Sequence, residues 1–403
     1  MRTAREAEAA ACYLVCLRQH PALQSHIVHD INTIPADAWN RVAGVDHPFT
    51  RHEFLAALER HGCVGERHGW LPHHIVVHDP DNRLCGIAPL YLKNNSYGEF
   101  VFDWAWADAW HRAGVPYYPK LVSSIPYTPV TGNRLLVAAD ADRESVTRHL
   151  IERALQLVDE TGSSTLHWLF TSAVDTGHLL AFDHLRRTGC HFHWHNAGYR
   201  SFDEFLAALS SRKRKKIRRE RRRVAEAGID MKILSGHDMS TKDWSVMYEF
   251  YRSTFDRKWG EPSLTLDFFR DISQTMGEQL VLVFACKSGE PVAGAIMLRG
   301  SDALYGRHWG CRETWHSLHF ETCYYQGIDY CIRHGLQLFE PGAQGEHKIS
   351  RGFLPSYTWS AHWIRDPRFR DAIQHYLIQE HEMMVDYHDD LQLTSPFRQT
   401  DGD

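Results

Sequence analysis

One glycine-rich segment gathers side chains that could move protons and bind anions. It spans Leu338–Pro355 and reads LFEPGAQGEHKISRGFLP. Glu346 and His347 are candidate proton acceptors. Lys348 and Arg351 could hold an anion or polarise a carbonyl group. A strand end followed by a glycine-rich polar loop is also where main-chain N–H groups can meet a ligand. A plain surface loop is the alternative, but this density of functional groups favours a site.

A second group of candidates lies just upstream, within Tyr305–Tyr325. Glu321 and Tyr324 are three residues apart, so on a regular helix they would share one face. His308 and Trp309 belong to the preceding predicted strand. Buried aromatic side chains and a core histidine explain the same residues equally well, so each stays an open candidate.

A dense run of positive charge opens the second half of the chain. Residues 212–223 read RKRKKIRRERRR and carry a net charge of +9, although the whole chain carries −5. Like charges four residues apart destabilise a helix, which favours an anionic partner such as the phosphates of a nucleotide, of tRNA or of a lipid headgroup. The candidate contacts are Arg214, Lys215, Arg218 and Arg222. A solvated helix face or an acidic partner within the protein is the alternative.

The first half contains a candidate counterpart that is rich in tryptophan and tyrosine. Its parts are Phe102–Trp110 and Ile125–Leu135, which reads IPYTPVTGNRL. Such clusters bind flat or extended ligands, but more often they fill cores. From the second part we name Tyr127, Thr128 and Thr131 as candidate ligand contacts.

A short histidine run raises the question of a metal site. His191, His193 and His195 alternate, and on a strand they would face one side as a conceivable zinc triad. No acidic residue or cysteine has motif spacing nearby, and 28 histidines make chance runs common. We therefore expect no metal. The sequence also contains no GxSxG, HExxH, Walker A or GxGxxG motif.

Composition bounds the class of protein. The chain has 403 residues, of which 43% are hydrophobic and 24% charged, as in ordinary globular proteins of two or three domains. The longest apolar run, Leu280–Cys286, is far too short to cross a bilayer. The nine cysteines are scattered without a CxxC pair, which favours reduced thiols and a cytoplasmic location.

Two stretches of the chain repeat the same order of predicted elements. His74–Leu92 and Leu280–Arg299 each read as a β-hairpin. Glu144–Gly162 and Ser317–Gly335 each read as a helix ended by glycine, with a strand after it. The simplest explanation is a duplicated α/β unit of about 190 residues. The predicted boundaries are an N-terminal appendage at 1–26, a first domain at 27–195, a second domain at 200–392 and a flexible tail at 393–403.

Three strings of the sequence resemble one known family: PYTPVTGNRLL, LHFETCYYQGIDYCI and PGAQGEHKISRGFLP. They are similar to the FemAB-like predicted N-acyltransferases, a bacterial branch of the GNAT superfamily associated with peptidoglycan biosynthesis or recognition. The resemblance runs from about Ile27 to Leu391. It implies an α/β chain with two tandem GNAT-like (acyl-CoA N-acyltransferase) domains, whose mixed central sheets are flanked by helices.

The resemblance also implies an activity. It is the transfer of an acyl or aminoacyl group from acyl-CoA or aminoacyl-tRNA to an amine, such as one on a peptidoglycan precursor, without a metal. N–H groups at a splayed β-bulge can serve the carbonyl oxygen in such sites. The sequence departs from the pattern twice. Arg312 stands where the pyrophosphate loop of the superfamily has Gly or Ala, and residues 200–260 leave no room for the long helical hairpin of several Fem enzymes.

Acyl transfer to nitrogen needs a base and a proton for the leaving group. Glu346 or Glu321 is the expected base, and Tyr324 or His347 the expected proton donor. The expected donor- and substrate-binding residues are Arg214, Lys215, Arg218, Arg222, Gln344, Lys348, Arg351, His308, Trp309, Tyr127, Thr128 and Thr131. The alternative functions are a non-catalytic module that binds peptidoglycan or nucleic acid, and a metal-dependent hydrolase built on the histidines.

Overall fold

Helices cover two β-sheets in a mixed α/β arrangement. The computed structural model describes residues 23–256, 261–343 and 345–398. The strands are β1 (Gln24–Val28), β2 (Trp70–Pro72), β3 (His74–His78), β4 (Leu84–Ala88), β5 (Tyr91–Lys93), β6 (Lys120–Ser123), β7 (Leu136–Val137), β8 (Thr165–Thr171), β9 (Leu185–His195), β10 (Ile229–Ser235), β11 (Leu280–Lys287), β12 (Glu290–Arg299), β13 (Ala303–Cys311), β14 (Leu338–Glu340) and β15 (Leu354–Ile364).

Eleven α-helices of more than one turn accompany these strands in the described part of the chain. They are α1 (Ala36–Ala43), α2 (His52–Arg60), α3 (Trp104–Arg112), α4 (Arg143–Thr161), α5 (Ala173–Ala181), α6 (Phe202–Ala208), α7 (Ser211–Glu226), α8 (Thr241–Asp256), α9 (Leu266–Thr275), α10 (Gln326–His334) and α11 (Pro367–Gln392). A helical turn at Leu318–Phe320 and a π-helical turn at Glu321–Tyr325 lead into α10.

The strands form one small and one large sheet. The small sheet has the order β1-β3-β4-β7, and the large sheet has the order β10-β11-β12-β13-β14-β9-β15-β8-β6-β5-β2. Within the large sheet, β13 and β14 are parallel, as are β6 and β8. Its other neighbours are antiparallel. Each half of the chain therefore contributes one parallel junction to the large sheet.

The repeated elements of the sequence form as predicted. β3 pairs with β4, and β11 pairs with β12, so both hairpins are confirmed. The second hairpin turns at Ser288 and Gly289, which both have positive φ, as a tight two-residue hairpin requires. α4 and α10 are followed by Gly162 and Gly335 in the left-handed conformation, where glycine avoids the strain of a Cβ atom.

The two halves exchange their last strands. β9, from the first half, pairs with β14 of the second half on one side and with β15 on the other. β15, the last strand, pairs in turn with β8 of the first half. The large sheet therefore runs through both halves without a break. The predicted domain boundary near residue 200 stays a prediction. Hydrogen bonds between β9 and β14 join residues on the two sides of it.

Both predicted end segments differ from the structure in part. β1 begins at Gln24 and pairs with β3, so the last residues of the predicted appendage belong to the small sheet. At the other end, the main chain of Ser210 donates to Pro396 and that of Arg398 donates to Ala208. These hydrogen bonds hold the first part of the predicted flexible tail against the link between α6 and α7.

The basic run forms α7, and few side chains of this helix are buried. Ile217 and Val224 are buried, and so is Glu220, the one acidic residue of the run. The cationic side chains occupy the other faces. No helix in the described part of the chain combines the length and apolar character needed to cross a membrane.

Candidate active site

The parallel junction of β13 and β14 opens into a gap. β14 pairs with β13 only as far as Tyr305 opposite Glu340, and it pairs with β9 only through Leu338 and Phe339. After Glu340 the chain leaves the sheet at Pro341. The rest of β13 therefore has β12 on one edge and no strand on the other.

A β-bulge marks the same place on β13. Ile296 of β12 lies opposite His308, and Met297 lies opposite Gly306, so Arg307 is the extra residue. A bulge redirects side chains and turns main-chain groups away from the ladder. Beside it lies a cleft of about 390 Å³. Residues of β12, β13, the turns before α10 and the glycine-rich segment line this cleft, among them Arg307, His308, Trp309, Tyr324, His347 and Lys348.

The glycine-rich loop forms one wall of the cleft. Gly342 and Gly345 have φ values of 100° and 119°, which only glycine adopts without strain. These turns bring the short 3₁₀ helix Glu346–Arg351 back towards β9 and α7. Gln344, one of the predicted binding residues, lies outside the described residues.

Tyr324 and His347 meet across the cleft. The Tyr324 hydroxyl group and His347 Nε2 are hydrogen-bonded at 3.0 Å. Burial raises the pKa of Tyr324, so its hydroxyl group keeps its proton. Burial also lowers the pKa of His347, and the charges of Arg351 and Lys348 lower it further. Both predicted proton donors therefore lie at the cleft, as a coupled pair.

Lys348 is the charged residue most deeply set in the cleft wall. It is 2% exposed, and its Nζ donates a hydrogen bond of 2.6 Å to the carbonyl oxygen of Gly342. Burial lowers the pKa of Lys348 to about 8. The ammonium group is therefore charged at neutral pH and loses its charge in mildly basic solution.

The two expected bases do not line the cleft. Glu321 accepts hydrogen bonds from Arg221 Nε at 3.2 Å and from Gln326 at 2.7 Å. Glu346 is exposed and accepts a hydrogen bond from Tyr387. The wide π turn explains why Glu321 and Tyr324 do not share a face, because the spacing rule of a regular helix does not apply there.

Arg351 is held by the protein itself. Its Nη2 donates to Glu220 at 2.9 Å, and its Nη1 donates to the carbonyl oxygen of His347 at 2.7 Å. Its guanidinium group also stacks on the ring of Phe320. Tyr325 donates a hydrogen bond to the other oxygen of Glu220. Arg351 and Glu220 therefore fasten the glycine-rich loop to α7.

The predicted phosphate contacts on α7 lie mostly away from the cleft. Arg218 ion-pairs with Asp203, and Arg222 with Glu226, all of them well exposed. Lys215 is exposed, and Arg214 is half-buried. Sequence reasoning passed over two other lysines of the same run. Burial lowers the pKa of Lys213. Burial also lowers the pKa of His347, and the charges of Arg351, Lys348 and Lys216 lower it further, so Lys216 acts on a residue of the cleft.

The remaining candidates of the second half flank the bulge. His308 lies against Tyr251 of α8, with ring centres 4.7 Å apart, and burial lowers its pKa well below the usual range. The carbonyl oxygen of Trp309 accepts a hydrogen bond of 2.6 Å from Thr254. Arg312 lies beyond the cleft and ion-pairs with Glu249.

The predicted first-half residues contact the same bulge from the other half. The guanidinium group of Arg307 donates to the carbonyl oxygen of Tyr127 and to the hydroxyl group of Thr128. The main chain of Thr131 contributes a hydrogen bond that lowers the pKa of Glu340. The string IPYTPVTGNRL therefore closes the junction from the side of the first half.

Two residues that sequence reasoning did not select lie where the gap begins. Glu340 ends β14, and His193 lies on the adjacent strand β9. Glu340 Oε2 and His193 Nε2 are 3.8 Å apart, and neither atom has a hydrogen-bond partner among the residues that the structure describes. Only the pairing of β9 with β14 brings them together, so no local pattern in the sequence could have shown it.

A second cavity adjoins the cleft on the side of β9. It has a volume of about 220 Å³, and Ala343 lines both spaces. Its other walls include Phe102, His191 and Trp359. One residue of the glycine-rich loop is therefore shared by the two spaces. Among the described residues, His191, His193 and His195 do not join any group of three or more side chains that could hold a metal.

Comparison with solved structures identifies the fold. The C-terminal domain of a putative lysylphosphatidylglycerol synthetase from Agrobacterium fabrum matches with a TM-score of 0.51 at 10% identity, over 84% of this chain and 94% of that one. FemX matches with a TM-score of 0.51 at 10% identity, over 87% and 100%. A tandem GNAT protein from the clavulanic acid biosynthesis pathway gives 0.44 at 12% identity, over 85% and 98%. The first two matches and the mixed sheets flanked by helices confirm the predicted α/β fold class.

Sequence comparison identifies the family. No curated protein matches this chain. The profile of the FemAB-like family, described as peptidoglycan biosynthesis/recognition, matches residues 30–399. This match covers most of the chain and supports a transferase role in a peptidoglycan context. The chain belongs to the FemAB-like family.

Proposed function

We propose that this protein is an N-acyltransferase that uses acyl-CoA or aminoacyl-tRNA as donor and a primary amine of a peptidoglycan precursor as acceptor. One observation carries the proposal. The parallel strands β13 and β14 separate beside a bulge and leave a cleft in the middle of an otherwise continuous sheet. Family membership adds the peptidoglycan context.

The donor carbonyl group lies along the open edge of β13. The main-chain N–H groups that face the gap have no strand to bond, and such groups stabilise the oxyanion of a tetrahedral intermediate. The Tyr324–His347 pair is positioned to give the leaving oxygen or sulfur its proton. Lys348 holds a negative charge of the donor, and Arg351 keeps the loop that carries Lys348 in place.

Lys213 and Lys216 of α7 receive the phosphates of the donor. Phosphates are common to CoA and tRNA, and cationic helix faces bind them with strong salt dependence. Arg218 and Arg222 are already paired with carboxylates, so we assign them a smaller part. Aminoacyl-tRNA would reach further along α7 than CoA, and only tRNA would then engage these outer arginines.

The test compares two double variants with equal loss of charge. Binding of CoA and of bulk tRNA to the full chain is measured at several salt concentrations. Lys213→Ala/Lys216→Ala is expected to weaken binding about tenfold or more and to reduce the salt slope. Arg218→Ala/Arg222→Ala is expected to weaken CoA binding far less. Transfer of radiolabelled acetyl or aminoacyl groups to amines then identifies the donor. Binding of peptidoglycan fragments without transfer from either donor would support a non-catalytic module instead.

A further inference from the structure

Glu340 and His193 form a buried pair with unused hydrogen-bonding capacity. Glu340 is 5% exposed and His193 is 8% exposed. Buried polar atoms are nearly always hydrogen-bonded, so an orphaned pair needs an explanation. Their separation of 3.8 Å is too long for a direct hydrogen bond,. It is short enough for one further atom to contact both.

Glu340 and His193 do not themselves line either cavity, but each lies close in sequence to a residue that does. Glu340 is followed directly by Pro341 and Gly342, which line the cleft. His193 lies two residues from His191, which lines the second cavity. Successive residues of a strand alternate in direction, so His191 and His193 face the same side. Each member of the pair therefore lies within two residues of a cavity wall.

We propose that Glu340 and His193 bind a primary amine of the acceptor, and that the Glu340 carboxylate takes the proton that makes this amine nucleophilic. The inference rests on the proposed acyl transfer. The donor then occupies the cleft beside β13, and the acceptor enters through the second cavity. A primary amine has enough N–H groups to donate to both residues while its lone pair attacks.

The protons and electron pairs balance in this scheme. The ammonium form of the acceptor gives one proton to Glu340. The nitrogen lone pair forms the C–N bond to the donor carbonyl carbon, and the C–O or C–S bond of the donor breaks. The departing oxygen or sulfur takes the electron pair and the second proton of the nitrogen through the Tyr324–His347 pair.

The surroundings of the pair suit these roles. Burial raises the pKa of Glu340 to about 8, while Arg307 and Arg134 oppose the rise. Burial lowers the pKa of His193 to about 3, so its ring stays neutral and can accept a hydrogen bond. The titratable or charged groups around the pair are Tyr305 and Arg307 on β13, Arg134 from the first half, His191 and His195 on β9, and Lys348.

The first experiment measures turnover against pH for the full chain with the donor found above. Glu340→Gln keeps the shape of the side chain and removes the base. It is expected to lower kcat by about 10²–10⁴-fold and to abolish the rise in rate towards pH 8. His193→Leu is expected to raise KM for the amine while the rise with pH persists. A Glu340→Gln variant that keeps the wild-type pH profile would overturn the inference and leave the proposed function intact.

A matched control is provided by another buried glutamate–histidine pair. Glu59 and His74 are hydrogen-bonded at 2.9 Å in the first half. Glu59→Gln is expected to lower the melting temperature without changing the pH profile. A similar loss of activity in both variants would mean that Glu340 acts only through stability.

The second experiment needs no turnover. Binding of ethylamine is followed by calorimetry at pH 7 in two buffers of different ionisation enthalpy. Because Glu340 is protonated at this pH, ethylammonium binding is expected to release about one proton in the wild type. Glu340→Gln is expected to release none. Proton release that is equal in both proteins, or no ethylamine binding in the wild type at molar concentration, would overturn the amine site even if acyl transfer is confirmed.

Discussion

The two parallel junctions of the large sheet share a topology and differ in what fills them. At the second-half junction, β13 and β14 separate and leave the cleft. At the first-half junction, β6 leaves β8 after Ser123, but the chain returns and fills the space. The side chain of Arg134 is fully buried there. Its guanidinium group donates to the carbonyl oxygens of Leu169 and Val130 at 3.0 and 2.8 Å.

This comparison teaches that strand order alone does not make a site. A parallel junction offers unpaired main-chain groups, which must meet either a ligand or the protein itself. In the first half, Arg134 donates to the carbonyl oxygen of Leu169, and the main chain of Gly132 bonds to Phe170 and Ser172, so the protein itself satisfies these groups. In the second half they face a cleft. The second half therefore carries the proposed chemistry, and the first half supports it.

The largest expected effect comes from removing the arginine that fills the first junction. Arg134→Leu leaves several buried carbonyl oxygens without a donor and Asp175 without its nearby positive charge. We expect the free energy of unfolding to fall by about 3–5 kcal/mol, measured by chemical denaturation. Arg148→Leu, which removes an exposed ion pair with Glu144, should cost well under about 1 kcal/mol. Equal effects of the two substitutions would show that the first junction does not depend on Arg134.

An intermediate effect is expected at the second junction. Lys348→Met removes the cation from the cleft wall, and we expect donor affinity to fall about tenfold to a hundredfold, or about 1.4–2.8 kcal/mol. Burial lowers the pKa of Lys348 to about 8, so the cation is present below this pH and lost above it. Wild-type affinity should therefore fall as pH rises through 8, whereas the variant should be insensitive. Calorimetric titration with CoA from pH 6.5 to 9.5 measures both. A flat wild-type curve would remove Lys348 from the donor site.

The smallest expected effect tests whether the two hairpins are equally tightly packed against their neighbouring helices. A Cβ atom at Gly86 would lie 2.4 Å from Val146 Cγ1, and one at Gly294 would lie 2.6 Å from Met247 Sδ. Gly86→Ala should lower the free energy of unfolding by about 2 kcal/mol and Gly294→Ala by about 1 kcal/mol, because methionine repacks more easily than valine. Thermal denaturation compares them. The reverse order would show that the second half is the more tightly packed.

Local patterns predicted the elements well. Glycine at the ends of α4 and α10, the two hairpins and the helical basic run all follow from interactions between residues close in sequence. The segment Leu338–Pro355 supplies His347 and Lys348 to the cleft wall, and its role as a ligand site stays a prediction. These residue types were visible without any tertiary information.

The features of the site that the sequence did not predict depend on interactions between distant parts of the chain. The pairing of β9 with β14 brings His193 to Glu340, and no residue pattern in either segment predicts that the two strands pair. Buried Glu220 accepts a hydrogen bond from Arg351, so Arg351 holds the glycine-rich loop against α7 and is not a free cation. The π turn separates Glu321 from Tyr324. Each depends on tertiary packing, which overrides local spacing rules.

The exchanged strands have a consequence for how this protein could have evolved. A chain divided between β9 and α6 would give two fragments, and the last strand of each, β9 or β15, would have its bonding partners on the other fragment. Each fragment would display a long bare edge, the kind of surface that seeds aggregation. Once the exchange was in place, neither half could be lost, shuffled to another gene or replaced alone. The half that does not hold the proposed site would therefore be retained by selection for as long as its neighbour remains useful.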